Sequence, residues 1–244
     1  MKGLDRPVKA SWIYNTIQIV EKEKKIRKYK NKIDDLFYEL SGKDGKRKVR
    51  TVISRYFLRS KNNPRAQKVA NLPIIDIAKS LSYEKTKPLL LFQLFLRAEI
   101  VRVLTKMIKE IYGKNRKMNY KYLRKKIIQK LGERDISSRS LRNYLYTMES
   151  FDILNWDNER INWEKDLNIS EKQLVLMLYL YSKEYINSSQ IIINDINELL
   201  LYFFKTPDIN KICKKYNNDY WQYSVGVKQS KIIFYDDFGV GEVL

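Results

Sequence analysis

The chain has no histidine, one cysteine (Cys213), five prolines and eight glycines in 244 residues. Each shortage excludes something. A single cysteine leaves no disulfide within the chain, and without histidine no imidazole activates the lone thiol. The same absences remove the usual ligands for zinc and most transition metals, so no metal and no cofactor are expected. Carboxylates remain for magnesium. Pairs such as Asp34-Asp35 and Asp236-Asp237 read instead as solvated or helix-start positions, because ionised side chains are seldom buried. Scarce proline and glycine argue against a disordered or fibrous chain. The longest strongly apolar run, residues 89–96, is too short to span a bilayer, and Arg6, Lys9 and the lysines from Lys22 interrupt any secretion signal. A cytoplasmic, non-enzymatic chain with no membrane role is the expectation.

What the chain does have is positive charge, unevenly placed. Its 48 Lys+Arg against 28 Asp+Glu give a net +20. Residues 1–150 hold 38 basic and 14 acidic side chains, a net +24, and residues 151–244 hold 10 and 14, a net −4. A surface that is only kept soluble tends to mix its signs, so this split implies a polyanion-facing part and a part facing something else.

The periodicity is mainly helical. Trp12, Ile13, Thr16, Ile17, Ile19 and Val20 predict a helix over residues 8–23, and Ile33, Leu36, Phe37 and Leu40 a second one ending at Ser41-Gly42. A short basic helix is expected over residues 46–59 and a small one over 74–81. Lys87-Pro88 predicts the start of a long apolar helix over residues 89–112, since proline suits a first turn, and Gly113 its end. Asn119 is placed to cap a helix over 120–131 closed by Gly132. A turn at residues 135–137 then leads to a helix over 139–150 capped by Ser137 or Ser138. Phe151 to Trp156 and Ile161 to Trp163 read as a two-stranded ribbon with Asp157 to Arg160 at its tip, and Trp156 and Trp163 packing it down. Helix, helix, turn, helix and ribbon is the order of a winged helix-turn-helix. Beyond it, two apolar helices (171–185 and 188–204), a third through Lys215 and a hairpin of 221–225 with 231–235 are expected. The predicted fold is mainly α in three parts: a basic helical N-terminal domain (1–86), a winged helix-turn-helix (87–166) and an acidic helical region with a terminal hairpin (167–244).

Residues 114–142 carry eleven basic side chains against Glu133 and Asp135. The second helix of a helix-turn-helix enters the major groove and reads bases from its N-terminal residues. Here those are Ser137, Ser138, Arg139, Arg142 and Asn143, chemically suited because Arg pairs with guanine and Asn with adenine. Leu141, Tyr144, Leu145 and Met148 fall on the inward face. Lys114, Arg116, Lys117, Lys121, Arg124 and Lys125 are expected at the phosphate backbone, with steep salt dependence. The N-terminal cluster Lys46, Arg47, Lys48 and Arg50 is a second candidate contact. Arg160 could reach a minor groove, but Asp157 and Glu159 beside it make a poor wing for DNA. Duplex DNA is therefore the expected partner, with other proteins engaging the acidic C-terminal region. The competing reading is an interaction scaffold whose basic half docks RNA or an acidic protein.

An opening helix with an aromatic then a Thr (Trp12, Thr16) precedes a winged-helix segment with Ser-x-Arg-x-Leu-Arg over Ser137 to Arg142 and an apolar exit through Phe151, Ile153 and Leu154. In this layout, over residues 8–165, the chain resembles the BrxA proteins of BREX phage-exclusion systems. That resemblance implies a small DNA-binding accessory of phage defence without enzymatic activity, with Arg139, Arg142 and their neighbours as the matching contacts. The acidic, hairpin-ended C-terminal region departs from that layout.

Overall fold

Helix α1 (Ala10–Ile19) buries Trp12, Ile13, Thr16 and Ile17 along one face, as their spacing requires. The computed structural model describes residues 4–113, 117–132, 135–227 and 229–243, with the backbone alone for 135–137. Helix α2 (Lys30–Asp35) is shorter than the periodicity predicts. Phe37 is buried, but tight turns carry it inward, with Phe37 N–H donating to Asp34 O at 3.2 Å and Leu40 N–H to Phe37 O at 2.9 Å. Helix α3 (Lys43–Ile53) runs into a wider π-type turn, Ser54–Leu58, which buries Tyr56, Phe57 and Leu58. Helix α4 (Pro73–Ser80) starts on Pro73, where a missing N–H leaves no bond unmade.

The predicted long helix over 89–112 is two helices. Helix α5 (Tyr83–Arg97) begins earlier, and Pro88 lies inside it. Thr86 supports the first turn, its N–H and Oγ1 both donating to Ser82 O at 3.0 and 2.9 Å. The break comes at Ala98, extended at φ −103° and ψ 97°, before α6 (Glu99–Tyr112). Arg102 makes that break tolerable: its guanidinium donates to Phe95 O and to Leu96 O, carbonyls that a helix end leaves without partners. Every residue of α5 from Thr86 to Leu96 is buried, because the helix packs against α1, α4, α6 and the C-terminal region. At its end Arg97 is buried with Glu184 at 2.7 Å, and its other terminal nitrogen donates to Arg59 O at 2.7 Å and Arg55 O at 3.3 Å.

Next comes strand β1 (Lys117–Asn119), then α7 (Tyr120–Leu131), α8 (Asp135–Ser150), β2 (Leu154–Trp156) and β3 (Arg160–Trp163). Asn119 caps α7 as expected, its side chain accepting from Tyr122 N–H at 2.9 Å, and Gly132 closes the helix at φ 83°. Helix α8 starts at Asp135, four residues before the expected Arg139, so the turn assigned to 135–137 is its first turn and neither serine is a cap. Ser138 Oγ accepts from Arg124 Nε at 3.2 Å instead. The strands form one antiparallel sheet in the order β1-β3-β2, with Met118 opposite Ile161 and Trp156 opposite the same residue on the far side. Trp156 sits between Tyr120 and Tyr146, while Trp163 stacks on Phe203 at 4.8 Å and ties the sheet to the C-terminal region.

Strand β4 (Leu167–Asn168) precedes α9 (Glu171–Leu180), which a full capping box of Ser170 and Gln173 opens and a π-type turn, Tyr181–Ile186, extends. The helix predicted over 188–204 does not form. Asn187, left-handed at φ 53°, stops the preceding turn, and the branched residues after it enter strand β5 (Gln190–Ile192), where side chains branched at Cβ fit well. Two short 3-10 turns and β6 (Phe204–Lys205) follow. Helix α10 (Ile209–Lys215) is capped by Asp208, and the predicted hairpin appears as β7 (Trp221–Val225) and β8 (Ser230–Phe234) with β5 on its outer edge. The chain is mainly helical, and its buried apolar residues form one cluster from Leu4 to Val243. The expected division at 86/87 falls inside α5. Among the described residues no helix is long and apolar enough to cross a membrane.

Candidate nucleic-acid interface

Three distant stretches of the sequence meet in one cleft. Its walls are residues 5–7, α3 and α8, and it encloses about 730 Å³. Arg6, Arg47, Lys48, Arg139 and Arg142 line it, with Thr51, Asn143 and Tyr146, against the carboxylate of Asp5, the single one lining it among the described residues. Asp5 is itself engaged by Arg55 at 3.5 Å.

The α8 wall follows from helical spacing. Leu141, Tyr144, Leu145 and Met148 are buried as predicted, with Tyr144 OH and Thr105 Oγ1 2.9 Å apart in the interior. Arg139, Arg142 and Tyr146, three and four residues apart, remain exposed toward the cleft. A third face of the same helix is polar and does different work. Asn143 Nδ2 donates to Leu4 O at 2.6 Å, Thr147 Oγ1 accepts from Val8 N–H at 3.1 Å, and Ser150 Oγ donates to Val8 O at 3.2 Å. This polar stripe clamps residues 4–10 along α8, and so sets Arg6 in the cleft.

That clamp corrects the expected role of Asn143. It lines the cleft, but it is 6% exposed and its Nδ2 donates to the chain's own backbone, so its amide is held inward rather than presented to a base edge. Of the other groove-reading candidates, Arg139 and Arg142 reach the cleft, Ser138 is engaged with Arg124, and the Ser137 side chain lies outside the described residues, as do Lys114 and Arg116. The remaining backbone candidates, Lys117 on β1 and Lys121, Arg124 and Lys125 on α7, are exposed but do not line the cleft.

The N-terminal cluster divides in two. Arg47 and Lys48 line the cleft, both reaching back one turn to Asp44 at 2.6 and 2.7 Å. Donation from Lys48 first, then from Arg47, holds the Asp44 carboxyl down at about 2. These pairs are exposed, so water and salt screen them strongly. Arg50 faces the other side of α3, paired with Asp34, and Lys46 does not line the cleft. Arg6 and Tyr146 were not among the expected site residues. Only the spacing of Asn143, Thr147 and Ser150 hinted at a polar seam on α8, and nothing in the pattern said what would occupy it.

Comparison with family models, curated proteins and solved structures found no match. The chemistry of the site therefore rests on its own geometry. Five cations around one cleft repel each other, and that repulsion is relieved by a ligand carrying several spaced negative charges. Cys213 lies elsewhere, buried against the Trp221 indole that donates to its carbonyl at 2.8 Å, and burial pushes its thiol up to about 12. Among the described residues no group of His, Cys, Asp and Glu is gathered to hold a metal ion.

Proposed function

We propose that this chain binds duplex DNA, without acting on it chemically, through the cleft between α3 and α8. The observation carrying this reading is the convergence of Arg6, Arg47, Lys48, Arg139 and Arg142 on one surface. A phosphate backbone supplies regularly spaced anions, and each one neutralised releases condensed counterions, which favours binding. Among the described residues the cleft offers one partly exposed aromatic, Tyr146. A surface for single strands needs a row of rings on which bases can stack.

The middle of the chain supports a winged-helix reading. Helix α6, strand β1, helices α7 and α8, then β2 and β3 in a sheet ordered β1-β3-β2 follow the order of that motif, and α8 takes the place of its groove-facing helix. With Asn143 withdrawn, base reading falls to Arg139 and Arg142, and phosphate contact dominates. In the same proposal, the resemblance to the BrxA proteins assigns the chain to phage exclusion as a cytoplasmic DNA-binding accessory, with the acidic C-terminal region facing partner proteins. Titration of a labelled random duplex at low salt tests the reading. Saturable binding that a matched single strand competes for weakly is expected, and absence of duplex binding at low salt overturns it.

A further inference from the structure

A second basic pocket opens on the opposite side of α3. It encloses about 350 Å³ and is lined by Arg27, Lys30, Arg50 and Arg59 together with Thr51 and Ser54, and among the described residues no carboxylate lines it. The cations come from three places: the turn before α2 and its first residue, the last turn of α3, and the residue that ends the π-type turn following α3. Asp34 holds Arg50. Arg27 and Lys30 are exposed, with no ion pair among the described residues.

Arg59 is the unusual member. One terminal nitrogen donates to Pro64 O at 3.1 Å, but its Nε is buried with no hydrogen-bond partner. Burial, and then the charge of Arg55, hold its guanidinium below the usual arginine range. A buried donor without a partner and two neighbouring cations both raise the energy of this arrangement of side chains. An oxyanion placed among these side chains would relieve both. We propose that this pocket is a phosphate site, taking the phosphate group of a small anion or of a nucleic-acid strand through Arg27, Lys30, Arg50 and Arg59.

The two possible sources differ in one structural respect. Thr51 lines both this pocket and the cleft, and the six steps from Lys48 to Ser54 span about 9 Å of helix. A strand lying in the cleft could thus place a further phosphate here, while a free anion needs no such path. The site does not depend on the duplex reading.

The test uses the full chain and inorganic phosphate, added at constant ionic strength against chloride, with the melting temperature as readout. The wild type should show a rise that saturates in the millimolar range. Arg59→Gln should abolish it. Because Arg59 also braces its own loop, the exposed pair Arg27→Glu/Lys30→Glu is the second variant, and it should raise half-saturation at least tenfold. A rise that never saturates and is equal in both variants is general exclusion of phosphate from the protein surface, and overturns the proposal. Saturation unchanged in Arg27→Glu/Lys30→Glu overturns it too. Duplex titration of that variant separates the sources: weakened duplex binding assigns the pocket to a strand phosphate, and unchanged duplex binding assigns it to a free anion. Loss of duplex binding by the wild type would remove the proposed function and leave the phosphate titration standing.

Discussion

Replacing Arg139 and Arg142 by alanine should change how DNA binding depends on salt more clearly than it changes affinity at any one salt. If each of the five cleft cations neutralises one phosphate, the logarithm of the binding constant falls with that of salt at a slope of about −4.5. Raising salt from about 50 to 200 mM would then weaken wild-type binding roughly 500-fold. With three cations left the slope is about −2.7, and the same step weakens binding roughly 40-fold. Both arginines are exposed and hold no ion pair among the described residues, so the double variant should fold with stability within about 0.5 kcal/mol of wild type. Fluorescence anisotropy of a labelled random duplex across a salt series measures the slope. Lys46→Ala is the control, since Lys46 is basic and lies on the same α3 but outside the cleft. A double variant with the wild-type slope, or a Lys46 variant that loses as much, would refute the placement of the phosphates.

Asp44→Asn should tighten duplex binding roughly two- to fivefold, the scale of an exposed ion pair, because it frees Arg47 and Lys48; weaker binding in the same titration would mean that Asp44 orients them. Asn143→Ala leaves Leu4 O without its donor and should cost about 1–2 kcal/mol in urea unfolding, with faster amide exchange over residues 4–10; exchange unchanged there would show that the segment is held by other contacts. Glu184→Ala strands the buried Arg97 guanidinium and should cost about 3–5 kcal/mol; a loss under 1 kcal/mol would indicate that Arg97 is satisfied by the carbonyls alone. Burial raises the Cys213 thiol from 9.0 to about 12 and raises the Tyr144 hydroxyl as well. Both are acids whose neutral forms the fold favours, so their stabilisation is complete below pH 9 and declines as pH rises toward 12. Denaturation midpoints flat from pH 8 to 11 would contradict this.

Legibility followed locality. Elements fixed by their own residues were readable: Asn119 and Gly132 bound α7, the inward face of α8 is the predicted one, and the Trp221–Val225 strand pairs where the alternation puts it. Errors arose where a distant partner decided the outcome. Residues 190–192 alternate no differently from a helix fragment, and it is the free edge of β8 that draws them into a sheet. The break at Ala98 depends on Arg102 folding back over the end of α5, which neither proline nor glycine signals. The candidate site shows the same division. Arg139 and Arg142 reach the cleft because helix spacing alone exposes them, while Asn143 is drawn inward by a carbonyl 139 residues earlier.

The clamp on α8 also bears on how the cleft can bind. Association loses free energy to any loop or side chain that it must order. Here the backbone walls are already ordered: hydrogen bonds from Asn143, Thr147 and Ser150 hold residues 4–10 on α8, and one continuous core joins α8 to the helices behind α3. What is left to order is the long side chains of Arg6, Arg47, Lys48, Arg139 and Arg142, roughly 0.5–1.5 kcal/mol each. A backbone phosphate can be met by such side chains from many directions, whereas a base edge accepts a guanidinium in one plane. Rigid walls carrying flexible cations therefore favour tolerance of DNA sequence over discrimination, and replacing one base pair with another should alter affinity less than removing one cation.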